Sequence, residues 1–207
     1  MHRSDSDLSG RKEIASGDTG ETVPTNGVQG GDRSGSKQPA GIRNSGRILV
    51  RLARDSEADF TAAFDLVRDA HERTIFRDIP FSERKARALF DKVVRQPDQH
   101  GLLLATLNEA ERPVGFASLN AGEYFLGEGA LVCSVTGLYY SSSLTGSMLA
   151  GKVALRLMQA IRQWAKERRC SHILVHVTNG MSASESDQFF RRCGLRTVGG
   201  NYVEVLQ

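Results

Sequence analysis

Hydrophobic and polar residues follow regular periods only after Gly46, and the first period is that of a β-strand. In residues 47–54 (RILVRLAR), Ile48, Val50 and Leu52 recur at every second position. A repeat of two places these residues on one face of a strand. The ordered part of the chain therefore begins with a predicted strand.

Two amphipathic helices are predicted next. Apolar residues recur at helical spacing behind two serines. Serine is favoured as an N-cap because its side-chain oxygen accepts a hydrogen bond from a free N–H group of the first turn. We predict helices from Ser56 through Arg73 and from Ser82 through about Gln96, with Pro97 ending the second.

Strand patterns dominate the middle of the chain. The short apolar runs at 101–107 and 113–119 flank a polar turn and predict a β-hairpin. Residues 130–140 (ALVCSVTGLYY) predict a third strand in this region. Gly137 inside it indicates a bulge or a close approach of another group to the backbone.

The last third of the chain alternates between helices and strands. A loop of small polar residues at 141–146 (SSSLTG) precedes a long amphipathic helix from about Leu149 to Arg169. A strand at 171–177, a short helix at 184–192 and a terminal hairpin at 196–206 follow. The complete order predicts an α/β fold with one twisted, mostly antiparallel mixed sheet and helices on both faces.

Residues 1–45 differ in composition from the rest. They contain no Phe, Trp or Tyr, and their six Lys and Arg balance six Asp and Glu. Such a segment buries too little apolar surface to offset its chain entropy. We therefore expect a disordered tail at 1–45 and a single domain at 46–207.

Charge and cysteine content exclude several classes of protein. The net charge of +3 is too small for a dedicated nucleic-acid binder, so no nucleic-acid partner is expected. Three cysteines without C-x-x-C spacing argue against a disulfide framework and a zinc site. Without a long apolar stretch or a signal-type N-terminus, the expected location is the cytoplasm, away from membranes.

The predicted element order from Gly46 onward resembles the GNAT superfamily of acyl-CoA-dependent N-acyltransferases. Three segments carry the resemblance: SVTGLYYSSSLTGSMLAGKVALRLMQAIRQWAKERRC, WAKERRCSHILVHV and DQFFRRCGLRTVGGNYVEVL. Residues 71–90 (HERTIFRDIPFSERKARALF) are similar to small phage-encoded or prophage-encoded members. The resemblance implies a GNAT-like fold and transfer of an acetyl group from acetyl-CoA to a primary amine of a small molecule or a protein.

The resemblance also implies where acetyl-CoA binds. In this family the loop after the fourth strand holds the pyrophosphate at a helix N-terminus, where free N–H groups and the helix dipole favour an anion. Backbone N–H groups at 138–140 would polarise the thioester carbonyl. The implied cofactor-binding residues are Leu138, Tyr139, Tyr140, Gly146, Ser147, Gly151, Lys152 and Ala154.

Several positions depart from the family pattern. No register of the loop reproduces [Q/R]-x-x-G-x-[G/A]. Phe190 stands where the family often has a tyrosine acid, and Thr136 stands near the place of a carboxylate. The candidate general acid is therefore Tyr140, and the candidate general base is Glu123.

Two other functions remain open from the sequence. The first is a catalytically silent GNAT-fold module that binds a partner, with a phage or prophage system as its setting. The second is a nucleotide-binding protein, because residues 146–153 (GSMLAGKV) almost match the P-loop pattern G-x-x-x-x-G-K-[S/T]. Val153 takes the place of the residue that would ligate magnesium.

Overall fold

Serine caps set the beginning of the first two helices in the computed structural model, which describes residues 47–108, 112–176 and 183–199. Helix α1 is Glu57–Glu72, and Ser56 Oγ accepts a hydrogen bond from the Asp59 N–H at 3.2 Å. Helix α2 is Glu83–Arg95, and Ser82 Oγ accepts from the Lys85 N–H at 3.4 Å. Both predicted caps are confirmed.

The described strands form one mixed sheet in the order β1-β2-β3-β4-β5. The first three pairings are antiparallel and the β4–β5 pairing is parallel. The longer α3 connects β4 to β5. The remaining elements are β1 (Ile48–Leu52), β2 (His100–Leu107), β3 (Pro113–Glu123), β4 (Leu131–Tyr140), α3 (Met148–Glu167), β5 (Cys170–Val175) and α4 (Ala183–Arg192).

Alternation along the strands sends neighbouring side chains to opposite faces of the sheet, and each face is covered by helices. On one face, Leu103 and Leu119 belong to a cluster with residues of α3. On the other, Leu104 and Phe116 belong to a cluster with residues of α1 and α2. The predicted architecture, a mixed sheet with helices on both faces, is confirmed.

Strand β4 contains one more residue than β3 at Thr136. Leu119 pairs with Val135, whereas the preceding Ser118 pairs with Gly137. This β-bulge increases the local twist and exchanges the two faces for the residues beyond it. Gly137 lies beside the bulge, and a Cβ atom there would come within 3.1 Å of Phe116 Cε2.

Part of the predicted C-terminal structure is outside the described residues. Helix α4 ends as expected before Gly194, whose φ of +81° is readily adopted by glycine. Residues 196–199 are in no strand. The rest of the hairpin predicted at 196–206 lies outside the described residues, as does the predicted tail at 1–45. In the described part of the chain, no helix has the length and apolar content to cross a bilayer.

Helix α3 provides a test of the core. Leu157 is 0% exposed and Leu155, on the same helix, is 48% exposed. Leu157→Ala is expected to lower the free energy of unfolding by about 2–5 kcal/mol, because it leaves a cavity against the sheet. Leu155→Ala should change it by less than about 0.5 kcal/mol. Urea denaturation measures both, and equal losses would contradict this placement of α3.

Candidate functional site

Strand β4 parts from β5 at the bulge. The parallel pairing extends from Leu131 to Val135, and the last described contact is the His176 N–H donating to the Val135 carbonyl at 3.0 Å. Strand β3 continues to pair with β4 as far as Tyr140. In the described part of the chain, no strand pairs with the other edge of β4 from Thr136 to Tyr140, a length of about 17 Å at the rise of a strand. We call this edge the β4 opening.

The register determines which backbone groups point toward the β4 opening. The Ser141 N–H donates to the Val114 carbonyl of β3 at 2.8 Å. In an antiparallel pair, alternate residues form their hydrogen bonds with the same neighbour, so Tyr139 also faces β3. Leu138 and Tyr140 consequently direct their backbone N–H groups away from β3.

The β4–α3 loop (residues 141–147) leads from the β4 opening to the N-terminus of α3. A 3₁₀ turn, Ser142–Leu144, opens the loop, and Gly146 adopts φ of +76°. Ser147 is the N-cap: its Oγ accepts from the Ala150 N–H at 3.3 Å and donates to the Leu144 carbonyl at 2.6 Å.

The first N–H groups of α3 carry the positive end of a 20-residue helix. Those of Met148 and Leu149 precede the helical hydrogen-bonding pattern and donate no hydrogen bond within the described part of the chain. The Met148 side chain is 84% exposed. This end of the helix is a suitable place for an anion.

Asp69 of α1 fixes the start of the loop. Its Oδ2 accepts from the Ser142 N–H at 3.0 Å, and Arg73 Nε is 3.5 Å from Oδ1. Burial acts to raise the pKa of Asp69, but the hydrogen bond from the Ser142 N–H, the neighbouring Tyr139 hydroxyl and the charge of Arg73 outweigh it and hold the pKa below its usual value. A carboxylate is therefore part of the support of the loop.

The two adjacent tyrosines at the end of β4 have different surroundings. Tyr139 is buried on the α1 face, with its hydroxyl beside the Asp69 carboxylate but short of regular hydrogen-bond geometry. Burial and Asp69 raise the pKa of Tyr139. Tyr140 is half-buried on the α3 face. Of the two, Tyr140 is the better candidate for contact with a ligand.

Three of the predicted cofactor residues lie inside α3, beyond its N-terminus. Gly151 and Lys152 are exposed, and Ala154 is buried against the sheet. The Ser147 carbonyl accepts a hydrogen bond from the Ala150 N–H at 3.2 Å, so the hydrogen-bonding pattern of the helix begins before Gly151. The N–H groups at the helix end are instead those of Met148 and Leu149, which the sequence analysis missed. The signal for them was the N-cap preference of Ser147.

Glu123 and Tyr140, the predicted base and acid, are not brought together. Glu123 pairs with Leu131 at the first residue of β4, whereas Tyr140 is the last residue of that strand. Nine residues of extended chain separate their positions along β4, which is about 30 Å. The two side chains cannot act on the same reacting group.

Residues 146–153, which almost match the P-loop sequence pattern, do not form a P-loop. Helix α3 begins at Met148, so the residues between Gly146 and Gly151 are largely helical and cannot wrap around a phosphate. Val153 is fully buried in the core. The structure therefore contradicts the nucleotide-binding alternative in its P-loop form.

Other chemically reactive groups are not assembled for catalysis. Burial raises the pKa of the Cys133 thiol to about 12, and burial also raises the pKa of Cys193. Thr136 Oγ1, at the bulge, donates to Ser118 Oγ at 3.1 Å, and Phe190 packs against the α3-side core. Within 47–108, 112–176 and 183–199, no group of His, Cys, Asp and Glu could hold a metal ion.

Solved structures share this fold at low sequence identity. A transcriptional regulator from Bacillus halodurans C-125 matches with a TM-score of 0.60 and 16% identity, over 77% of this chain and 100% of that one. AAC(6')-Iy in complex with the bisubstrate analogue CoA-S-monomethyl-acetylneamine matches with a TM-score of 0.56 and 12% sequence identity. The match covers 78% of this chain and 99% of that one. A GNAT family acetyltransferase from Staphylococcus aureus matches with a TM-score of 0.52 and 15% sequence identity. The match covers 77% of this chain and 98% of that one.

These matches establish a GNAT-like fold for the chain. No protein-family model matches the sequence, and a search of curated proteins gives no significant match. The resemblance of residues 71–90 to phage-encoded proteins stays a prediction, as does the cytoplasmic location.

Asp69 provides a test of the loop support. Asp69→Ala removes the acceptor of the Ser142 N–H and should lower the free energy of unfolding by about 1–3 kcal/mol. Asp69→Asn keeps an acceptor oxygen and should lower the free energy of unfolding by a smaller amount. Glu72→Ala, an exposed acid on the same helix, should change little.

The effect of Asp69 should also depend on pH. Because its pKa is lowered in the folded state, its stabilisation is present above the unfolded pKa and is lost as pH falls through the folded pKa. Denaturation curves of the parent and Asp69→Asn should therefore converge in acid. A gap between them that widens in acid would contradict this role.

Proposed function

We propose that this protein is an N-acetyltransferase that moves an acetyl group from acetyl-CoA to a primary amine. One observation carries the proposal: the β4 opening runs along a strand edge and ends at the N-terminus of α3. This gives a long ligand the Tyr140 N–H at one end and a helix dipole at the other. The likeness in fold to proteins described as acetyltransferases supports the same activity.

The backbone fits acetyl-CoA better than the side chains do. The β4–α3 loop consists of small residues apart from Leu144, and the N–H groups of Met148 and Leu149 suit a pyrophosphate. Residues 141–151 include no charged side chain, and the nearest cation in sequence, Lys152, is exposed on α3. Phosphate recognition would therefore depend on peptide N–H groups and not on charged side chains of this segment.

The proposed reaction asks for few ionisable groups. Acetyl-CoA supplies an acetyl thioester when bound. A bond forms between the amine nitrogen and the acetyl carbon, the carbon–sulfur bond breaks, the nitrogen gives up a proton and the sulfur takes one. The N–H group of Tyr140, which points away from β3, is proposed to stabilise the negative charge that develops on the carbonyl oxygen.

Two proton transfers remain to be assigned. The Tyr140 hydroxyl is the proposed donor to the departing sulfur, because this side chain ends β4 on the α3 face of the opening. Glu123 lies too far along the strand to take the proton of the amine. We propose that the amine loses its proton to water, so the rate should rise with pH until the acceptor amine is neutral.

The second candidate is a catalytically silent binding module. Two residues favour this candidate. Phe190 stands where the family often has a tyrosine acid, and Thr136 stands near the place of a carboxylate; neither side chain exchanges a proton at neutral pH. Calorimetry with acetyl-CoA and an assay of amine-dependent thiol release separate the two. Binding with thiol release supports the enzyme. Binding without thiol release supports a silent module, and no binding at millimolar acetyl-CoA contradicts the enzyme and leaves a module that binds a partner without the cofactor.

Met148 allows a single peptide N–H to be removed. Proline is tolerated at the first position of a helix, and the preceding Ser147, at φ −94° and ψ 149°, already has the extended conformation that proline requires. Met148→Pro should weaken acetyl-CoA binding about 10-fold to 100-fold, the value of a hydrogen bond to a charged group. Met148→Ala keeps the N–H and is the matched control. Equal affinities of the two variants would place the pyrophosphate elsewhere.

Tyr140 tests the proposed proton donor. Tyr140→Phe should lower kcat about 100-fold or more, the usual contribution of a general acid, with little change in the dissociation constant of acetyl-CoA. Tyr124→Phe, an exposed tyrosine beyond the end of β3, should leave both values unchanged. Steady-state kinetics measures kcat, and calorimetry measures the dissociation constant of acetyl-CoA. Full activity of Tyr140→Phe would remove this residue from the mechanism.

A further inference from the structure

A cavity lies on the α1 face of the sheet, behind the β4–α3 loop. Its volume is about 420 Å³, within the range of roughly 300–1,000 Å³ typical of small-ligand sites. It is bordered by α1, the start of β3 and the loop. The lining residues are Asp65, Leu66, Asp69, Arg112, Pro113, Val114, Ser141 and Ser143.

The polar groups of the cavity are of both signs. Asp65 and Asp69 are one helical turn apart on α1, so both carboxylates face the same side of the helix. Arg112 precedes β3 and contributes a guanidinium, which binds carboxylates in a fixed two-pronged geometry. Ser141 and Ser143 add hydroxyl groups that donate or accept.

The existing ion pair across the cavity is easily exchanged. Arg112 Nη2 is 3.2 Å from Asp65 Oδ2, and the two side chains are 80% and 49% exposed. Such exposed pairs contribute little to stability. A ligand with its own ammonium and carboxylate can therefore replace this contact on both sides without leaving a charge unpaired.

We propose that this cavity binds a small zwitterion of the free α-amino-acid class with an apolar side chain. The ligand ammonium is held by Asp65 and Asp69, and its carboxylate by Arg112. Leu66, Pro113 and Val114 supply the apolar wall for its side chain. The site is separate from the proposed acetyl transfer and does not depend on it.

L-leucine is the probe, titrated into the full chain by calorimetry and by amide NMR. Binding at millimolar concentration is expected, with shifted signals at Leu66, Val114, Ser141 and Ser143. Leucinamide lacks the carboxylate and 4-methylpentanoate lacks the ammonium, so each should bind at least about 10-fold more weakly. No binding of leucine, or equal binding of all three compounds, would overturn the proposal.

Substitutions assign the binding to the cavity. Arg112→Ala and Asp65→Asn should each weaken leucine binding about 10-fold or more, with unchanged stability because both side chains are on the surface. Arg84→Ala on α2 removes an exposed cation elsewhere and should leave binding unchanged. Parent-like affinity of Arg112→Ala, or signal shifts confined to other residues, would show that the cavity is not the site.

Discussion

The extra residue at Thr136 is the constraint on which the proposed site depends. Before it, odd-numbered residues of β4 such as Val135 pack toward α3, and after it, even-numbered residues such as Tyr140 do so. The described pairing with β5 ends at the same place. One inserted residue thus exchanges the two faces of the strand and determines that the peptide N–H groups of Leu138 and Tyr140 point away from β3.

The loop beyond this strand is supported from two sides. Ser147 ties it to α3, and Asp69 ties it to α1. A backbone N–H group on a short loop, such as that of Ser142, has few possible acceptors in the protein. The partly buried carboxylate of Asp69, whose pKa is lowered, is a strong hydrogen-bond acceptor for it. The position of the loop is therefore shared between helices on opposite faces of the sheet, with Tyr139 packed between the strand end and α1.

Features that depend on local chemistry were predictable from the sequence. The caps at Ser56 and Ser82 and the end of α4 at Arg192 each follow from a few neighbouring residues. The signal at Gly137 indicated the bulge to within one residue.

Features that depend on strand register were not predictable. Glu123 and Tyr140 are the base and acid that the sequence predicts, but strand pairing places them at opposite ends of β4. Gly151 and Lys152, which the family resemblance implies as cofactor-binding residues, lie inside the helix because the Ser147 cap starts it at Met148. The cavity between Asp65, Arg112 and Ser141 joins residues far apart in the sequence, and no local pattern indicates it.

The uncharged composition of residues 141–151 has a consequence for how such a protein diverges. Nearly every amino acid carries the same peptide N–H, so a site made of backbone donors survives most substitutions, provided that the chain keeps its path. Selection then acts on the bulge, the cap and the loop support, not on a fixed set of ligand-binding side chains. Relatives can drift apart until no motif is left in common while the arrangement of donors is inherited unchanged.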